Sequence, residues 1–247
     1  MKKLWFSLYD SSLLYKGDET EYFDARQFQW ANELGEHTEG IYNELKVFIE
    51  SNELPSHYSA SMVSKKNSWK TIPLKTWSIE HTKNQKLFPF TYSLIKKYPE
   101  IISASFNLLE ANSRIKPHCG DTNAIWRCHL GLEIPSVLPE CGFKVREESL
   151  SWEKGKWIIF MDAYKHEAWN ETNKNRYIFL IDVIRPEFIK KKKYVCSTVM
   201  TSLFLQRRME KFHFINKLPS PLVNIIAHCL RPFSQLKIKM DNSFKIY

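Results

Sequence analysis

Apolar and polar residues alternate with a period of two through much of the middle of this chain. From Trp126 onward, Arg127, His129 and Glu133 fall on one side of an extended backbone, and the other side carries Trp126, Cys128, Leu130, Leu132 and Ile134. A period of two is typical of a half-buried strand. Arg127 and His129 therefore point into the same space, and such a basic pair predicts a pocket for a small dianion.

Further short segments between about residues 103 and 185 also predict strands. Ser103–Leu109 alternates and is expected to be the first core strand, Trp157–Met161 is an apolar strand, and Arg176 begins another. Glycines and turn residues separate these segments, which favours a small all-β barrel or jelly roll. The pattern alone also allows other β-sandwiches. Trp69–Ile79 is a further strand candidate.

Helical periodicity occurs on both sides of this region. Ala25–Leu54 is compatible with one or two amphipathic helices, and Asn84–Tyr98 predicts another. After the strands, Tyr194–Phe214 and Leu222–Leu230 predict helices, with breaks expected at Pro219, Pro221 and Pro232. The chain is therefore predicted to be mainly β with flanking helices.

We expect three regions along the chain. They are an amino-terminal α/β region (1–99), a β core (100–189) and a helical tail (190–247). The 247 residues are enough for one large domain with appendages, and 43% hydrophobic content indicates a substantial core. The five cysteines form no C-x-x-C pair, so a disulfide framework or thiolate zinc site is not expected. This cysteine usage predicts a cytoplasmic protein.

The positive charge is concentrated in the tail. Residues 190–247 contain 12 Lys/Arg and 2 acidic residues, which exceeds the net charge of +9 for the whole chain. One interpretation is a solvated helical face. The other is a surface for an anionic membrane or an acidic carrier protein, which would place the protein at the inner face of a membrane. Nucleic acid is the least expected partner because the tail contains no recognised nucleic-acid motif.

Histidines and arginines recur at the ends of the predicted strands. His118 follows a proline, His166 follows the strand Trp157–Met161, and Arg176 begins the last strand. Together with Arg127 and His129, this set predicts a mononuclear metal site with a carboxylate-binding wall.

The motifs around these residues form an ordered series over about residues 100–187. They read His118-x-Gly120, Arg127-x-His129-Leu130-Gly131-Leu132, Trp152-x-x-Gly155-Lys156, Phe160-x-Asp162, His166-Glu167-x-Trp169, Arg176, and finally Asp182, Val183 and Pro186. The series resembles the aspartyl/asparaginyl β-hydroxylase family of Fe(II)- and 2-oxoglutarate-dependent dioxygenases. The resemblance implies a double-stranded β-helix (jelly roll, cupin-like) core, with Fe(II), 2-oxoglutarate and O2 as cofactor and cosubstrates.

The resemblance also implies roles for individual residues. His118 and His166 match the iron ligands, and Arg176 matches the residue that grips the distal carboxylate of 2-oxoglutarate. The cosubstrate pocket would further include Asn107, Arg127 and His129. Non-haem iron usually has a third, carboxylate ligand two residues after the first histidine. That position is Gly120 here, as in the family; Asp121 remains an alternative ligand, directly or through water.

Several functions remain open at this point. The family resemblance implies hydroxylation of the β-carbon of an aspartyl or asparaginyl residue in a protein or peptide, or of a carrier-bound amino acid. A related bacterial branch hydroxylates an acyl chain of lipid A, and a long apolar groove beside His118 and His166 would favour that substrate. A non-catalytic cupin-like binding protein is the third alternative, and the intact His118, His166 and Arg176 argue against it.

Overall fold

Antiparallel strands arranged in two facing sheets form the centre of the molecule. The computed structural model describes residues 3–8, 14–57, 59–212 and 220–243. The strands are β1 (Tyr22–Phe23), β2 (Trp69–Thr76), β3 (Ile79–Glu80), β4 (Ile101–Leu109), β5 (Ser113–His118), β6 (Ile125–Glu133), β7 (Cys141–Val145), β8 (Glu148–Leu150), β9 (Trp157–Met161), β10 (His166–Asn170) and β11 (Arg176–Ile184). The α-helices are α1 (Gln29–Glu36), α2 (Thr38–Ser51), α3 (Thr82–Gln85), α4 (Pro89–Ile95), α5 (Lys192–Lys211) and α6 (Ser220–Ser243).

Strand order identifies the fold. The larger sheet has the order β1-β9-β6-β11-β4-β2-β3, and the smaller sheet has the order β5-β10-β7-β8. From β4 to β11 the chain winds back and forth between the two sheets, crossing at every step except β7 to β8. This winding is a double-stranded β-helix, so the predicted mainly β jelly roll with flanking helices is confirmed.

Two apolar layers flank the larger sheet. Its inner face packs against the smaller sheet through residues such as Phe143, Phe160 and Ile178. Its outer face, which includes Cys128 and Leu130, is covered by α1, α2 and α4. Because successive side chains of a strand point to opposite faces, β6 contributes apolar residues to the outer layer and leaves Arg127 and His129 on the inner side.

One residue of β6 departs from the predicted alternation. Glu133 accepts a hydrogen bond from the hydroxyl of Tyr42 on α2, so it faces the helical layer and does not share a face with Arg127 and His129. The register between β6 and β11 shifts between Tyr177 and Ile178, where Tyr177 pairs with Glu133 and Ile178 pairs with Gly131. A bulge of this kind reverses the direction of the side chains beyond it.

Two helix predictions were also wrong in detail. The predicted helix Asn84–Tyr98 is split into α3 and α4, because Pro89 opens α4 and restricts the backbone of the residue before it. The predicted break at Pro232 is absent, since α6 continues through this residue. Ile238 is buried with Val195 and Val199 of α5, and Val223 is buried on the other side of the proline. The predictions that fall on residues 213–219 lie outside the described residues.

Helix α5 packs directly against the end of the barrel. Val195, Val199 and Leu203 are buried in one cluster with Ile102 of β4 and Ile125 of β6. The basic carboxy-terminal segment thus begins with a helix whose apolar face contacts the β core.

Candidate active site

The two predicted metal ligands face each other on neighbouring strands. β5 ends at His118, β10 begins at His166, and the two residues pair directly in the sheet. Their ring centroids are 4.3 Å apart. In each ring Nδ1 lies 2.8 Å from the carbonyl oxygen two residues earlier in the chain. A carbonyl can only accept a hydrogen bond, so Nδ1 carries the proton and the Nε2 lone pair of each histidine is left for a metal ion.

Burial keeps both imidazoles neutral. It lowers the pKa of His118 to about 4 and lowers the pKa of His166 well below its usual value. The positive charge of Arg127 also lowers the pKa of both rings, and a protonated His118 would lower that of His166 further. Neutral imidazole is the form that binds metal ions, so the pocket keeps both side chains ready as ligands.

A buried carboxylate lies beside the histidine pair. Oδ1 of Asp162 is 4.0 Å from Nε2 of His166 and 2.8 Å from Nη1 of Arg127, whereas Oδ2 accepts a hydrogen bond from the backbone N–H of Asp121 at 3.2 Å. Burial raises the pKa of Asp162 to about 6 and that of Asp121 to about 7. Among the described residues, no three His, Cys, Asp or Glu side chains are grouped to hold a metal ion. The histidine pair is therefore the core of the candidate centre, and ligation by Asp121 stays a prediction.

Gly120 provides the space that Asp162 occupies. A Cβ atom at position 120 would lie 2.0 Å from Oδ2 of Asp162, much closer than any real contact. The position that bears a carboxylate ligand in many non-haem iron proteins thus has no side chain here, and the carboxylate of Asp162 occupies that space.

We expect Gly120→Ala to destabilise the protein by about 1–3 kcal/mol, because the added methyl group must displace a buried carboxylate. Urea unfolding measures this change. Gly35→Ala is the matched control, since its Cβ would meet nothing nearer than 3.5 Å and alanine favours the α1 helix. Equal stability of Gly120→Ala and the unmodified protein would show that Asp162 does not require this space.

Arg176 is a buried cation with unused donors. Its side chain is 2% exposed, and its guanidinium lies over the ring of Trp152 with 4.2 Å between Cζ and the ring centroid. Nε and Nη1 have no hydrogen-bond partner. An unpaired buried donor costs roughly 1–3 kcal/mol, and more when it is charged. This geometry suits an anionic ligand, and burial lowers the pKa of Arg176 to about 10.

His129 adds a second unused polar atom. Its Nδ1 is buried without a partner, and its ring packs against Phe143 and Phe160 at 5.1 Å. His129, Arg176 and the two candidate ligand histidines all line a cavity of about 40 Å³ between the sheets. Unsatisfied polar atoms that line a small, mostly apolar cavity indicate a binding site for a polar group.

The other two predicted cosubstrate residues already have protein partners. Arg127 forms a bidentate pair with Asp182, with distances of 2.8 and 3.2 Å, and its Nη1 lies 2.8 Å from Oδ1 of Asp162. Asn107 accepts from Trp69 Nε1 at 3.2 Å and donates to Ser105 Oγ at 2.8 Å. Both residues line the cavity, but most of their hydrogen-bonding capacity is used within the protein.

A larger cavity opens beside His118. Its volume is about 540 Å³, and the walls include Trp69, Trp77, Leu180, Leu203, Met62 and Met209 together with polar residues. His57 stacks on Trp69 in this wall, with ring centroids 3.6 Å apart. Leu203, Gln206, Arg207 and Met209 belong to α5, so the basic carboxy-terminal segment forms part of the cavity.

The sequence alone predicted neither this contribution of α5 nor the contact between Trp152 and Arg176. The separation along the chain explains the first omission, because no local pattern connects residues 203–209 with His118. The place of Trp152 in the motif series was the available signal for this residue. The predicted site residues His118, His129, His166, Arg127, Arg176 and Asn107 all line the small cavity.

Comparison with known proteins identifies similar sequences. A family profile described as aspartyl/asparaginyl beta-hydroxylase matches residues 35–186. An ornithine lipid ester-linked acyl 2-hydroxylase of Rhizobium tropici is 33% identical over 169 residues, which cover 66% of this chain and 60% of that protein. Human aspartyl/asparaginyl beta-hydroxylase is 31% identical over 133 residues, covering 52% of this chain and 17% of that protein. This chain therefore matches less than two thirds of either relative.

The comparison with solved structures also finds a Pseudomonas putida prolyl-4-hydroxylase. It covers 61% of this chain and 87% of its own, with 11% sequence identity and a TM-score of 0.42.

Proposed function

Because the chain belongs to the aspartyl/asparaginyl β-hydroxylase family, we propose that it is an Fe(II)- and 2-oxoglutarate-dependent hydroxylase. The observation that carries the proposal is the pairing of two neutral histidines with a buried arginine whose donors are unused. A metal ion would bind the Nε2 atoms of the two histidines, and a carboxylate would accept hydrogen bonds from the unused donors of Arg176.

In this proposal, each residue has a role that follows from its geometry. His118 and His166 hold the iron through Nε2, because hydrogen bonds to the backbone fix Nδ1 as the protonated nitrogen. Arg176 binds the distal carboxylate of 2-oxoglutarate through a planar fork of donors, with Trp152 fixing its orientation. Iron, 2-oxoglutarate and O2 supply the oxidation of an unactivated C–H bond.

Arg127 has a different role from Arg176. Its pairs with Asp162 and Asp182 hold two carboxylates beside the histidines, and these ion pairs keep the Asp162 side chain turned toward His166. Arg127 therefore orders the charged wall of the site, and its remaining exposed edge is available to the cosubstrate. His129 offers its free Nδ1 to the same cavity.

Two substrate classes are candidates. Family membership supports the β-carbon of an aspartyl or asparaginyl residue, in a peptide, a protein or on a carrier. A lipid acyl chain is the second candidate, and the 540 Å³ cavity beside His118 favours it because Met62, Trp77, Leu203 and Met209 provide apolar wall. The similarity to a lipid acyl 2-hydroxylase supports the same class.

The reaction class is tested by anaerobic titration. We expect Fe(II) followed by 2-oxoglutarate to produce a visible metal-to-ligand charge-transfer band. Folded protein that binds iron and develops no band would favour a non-catalytic cupin-like binding protein or another metal. Zn(II) in place of Fe(II) is the control, because it binds imidazole and has no redox chemistry.

The substrate is tested separately, by measuring succinate formation under O2. We expect stimulation by mixed vesicles containing acylated lipids, or by a peptide library with aspartyl and asparaginyl residues, and mass spectrometry of the stimulating substrate should show one added oxygen atom. Stimulation by peptides alone would exclude the acyl-chain candidate, and stimulation by lipids alone would exclude the aspartyl candidate.

A further inference from the structure

The outer face of α6 bears a continuous apolar stripe. Its large side chains are 42–69% exposed and comprise Leu222, Ile225, Phe233, Leu236 and Met240. At about 100° per residue, all five project within an arc of about 80° along one side of the helix. An exposed apolar stripe of this length marks a surface that contacts another apolar phase.

Packing against α5 sets the direction of the stripe. Val223 and Ile238 are buried on the opposite side of α6, and Thr201 and Ser234 form a hydrogen bond of 2.8 Å between the helices. Arg231 also lies on this inner side, with its guanidinium 4.9 Å from the ring centroid of Tyr194. The apolar stripe therefore faces away from the protein.

Basic residues border the stripe. Lys237 and Lys239 are exposed on its two edges, and Arg207, Arg208 and Lys211 are exposed on the neighbouring α5. Over residues 190–247 there are 12 Lys/Arg and 2 acidic residues. An apolar face with flanking Lys and Arg is the composition of a helix that lies in the interface of an anionic bilayer.

We propose that α6 binds the surface of an anionic membrane, with its apolar stripe in the acyl-chain boundary and its lysines at the lipid head groups. None of the helices in the described ranges combines the length and apolar content needed to span a bilayer. A second copy of the chain is the poorer partner, because stripe-to-stripe packing would bring the lysines of both copies together.

The location of α5 connects this surface to the larger cavity. The helix that supports α6 also contributes Leu203, Arg207 and Met209 to the cavity wall beside His118. A membrane bound by α6 would therefore lie on the side of the molecule where α5 borders the cavity. The proposal concerns a binding surface and does not depend on the hydroxylase activity.

The chain contains a probe for the test. Cys229 is exposed and lies within the stripe by helical spacing, whereas Cys119, Cys128, Cys141 and Cys196 are buried. A polarity-sensitive fluorophore on Cys229 should shift to shorter wavelength when vesicles of phosphatidylcholine with about one-third phosphatidylglycerol are added, and this shift should weaken as salt is raised. Neutral phosphatidylcholine vesicles should give weaker binding.

Two double variants separate the apolar and electrostatic contributions. We expect Phe233→Ser with Leu236→Ser to weaken binding to the anionic vesicles at least about tenfold, because two large apolar side chains are lost from the interface. The double variant Lys237→Gln with Lys239→Gln should weaken binding to the anionic vesicles about tenfold and leave binding to neutral vesicles unchanged. Val47→Ser is the control, since Val47 is 68% exposed on α2, away from the stripe.

Binding is measured by vesicle flotation in the absence of iron and 2-oxoglutarate. The result therefore does not depend on whether the protein has the proposed hydroxylase activity. Circular dichroism checks that the exposed substitutions leave the fold intact. Equal flotation of the unmodified protein and the Phe233/Leu236 variant would overturn the proposal, as would no flotation at all. The proposal would also be overturned if the unmodified protein does not bind vesicles, sediments as a dimer, and becomes a monomer in the Phe233/Leu236 variant. The stripe would then be a contact between two copies of the chain.

Discussion

Replacing His166 by alanine is expected to abolish hydroxylation and to lower Fe(II) affinity by more than about 100-fold. Loss of a partner that only orients a metal-binding histidine already costs about 10–100-fold in affinity or activity, and loss of a direct ligand costs more. His118 would then be the one remaining member of the histidine pair, and no group of three or more His, Cys, Asp or Glu side chains in the described part of the chain is placed to bind the metal instead. Calorimetric titration with Fe(II) under nitrogen measures the affinity independently of turnover.

His37→Ala is the matched control, since His37 is exposed and its ring centroid lies 5.7 Å from that of Phe90, away from the candidate site. It should retain both iron binding and activity. Circular dichroism of His166→Ala distinguishes the loss of a ligand from unfolding. Turnover within tenfold of the unmodified protein would reject His166 as an iron ligand.

Replacing Arg176 by alanine should raise the concentration of 2-oxoglutarate required for half-maximal turnover by about 100-fold or more. Each hydrogen bond to a charged group contributes about 1.5–3 kcal/mol, and a bidentate carboxylate contact would lose two. The rate at saturating 2-oxoglutarate should change less than the half-saturation concentration, because the distal carboxylate keeps its charge throughout the reaction. Arg176→Lys should give an intermediate result, since lysine preserves the charge without the planar fork.

A thermal shift provides a readout without catalysis. The free protein contains a buried guanidinium with two unpaired nitrogens, so 2-oxoglutarate should raise the melting temperature of the unmodified protein and leave that of Arg176→Ala unchanged. Arg114→Ala is the control, because Arg114 lies on β5 and its guanidinium pairs with Glu171 near the surface. An unchanged 2-oxoglutarate requirement in Arg176→Ala would assign the carboxylate contact to another residue.

The fold and much of the candidate site were predictable because their signals are local or repeated. Alternation along β6 placed Arg127 and His129 on one face, and the motif series around His118, His166 and Arg176 identified the family. The double-stranded β-helix followed from that resemblance and is confirmed by the strand order. Alternation by itself was compatible with other β-sandwiches, because it specifies which face of a strand is buried and not which strands pair.

The errors occurred where packing overrides local preference. Pro232 would end an isolated helix, yet the burial of Val223 and Ile238 holds α6 on both sides of it. Glu133 follows the sequence alternation, but the bulge between Tyr177 and Ile178 turns it toward Tyr42. In both cases a contact more than ten residues away in the chain decides the local conformation.

The sequence motifs were enough to identify the family, and with it the double-stranded β-helix and the candidate roles of His118, His166 and Arg176, because each motif lies within a few residues of the chain. Contacts between distant segments required the folded chain. They include the charge network of Arg127 with Asp162 and Asp182, the stacking of Arg176 on Trp152, and the contribution of α5 to the cavity beside His118. The side chains in these contacts are 24–91 residues apart in sequence, and they meet because the winding of the strands, and not the order of the residues, determines which of them become neighbours.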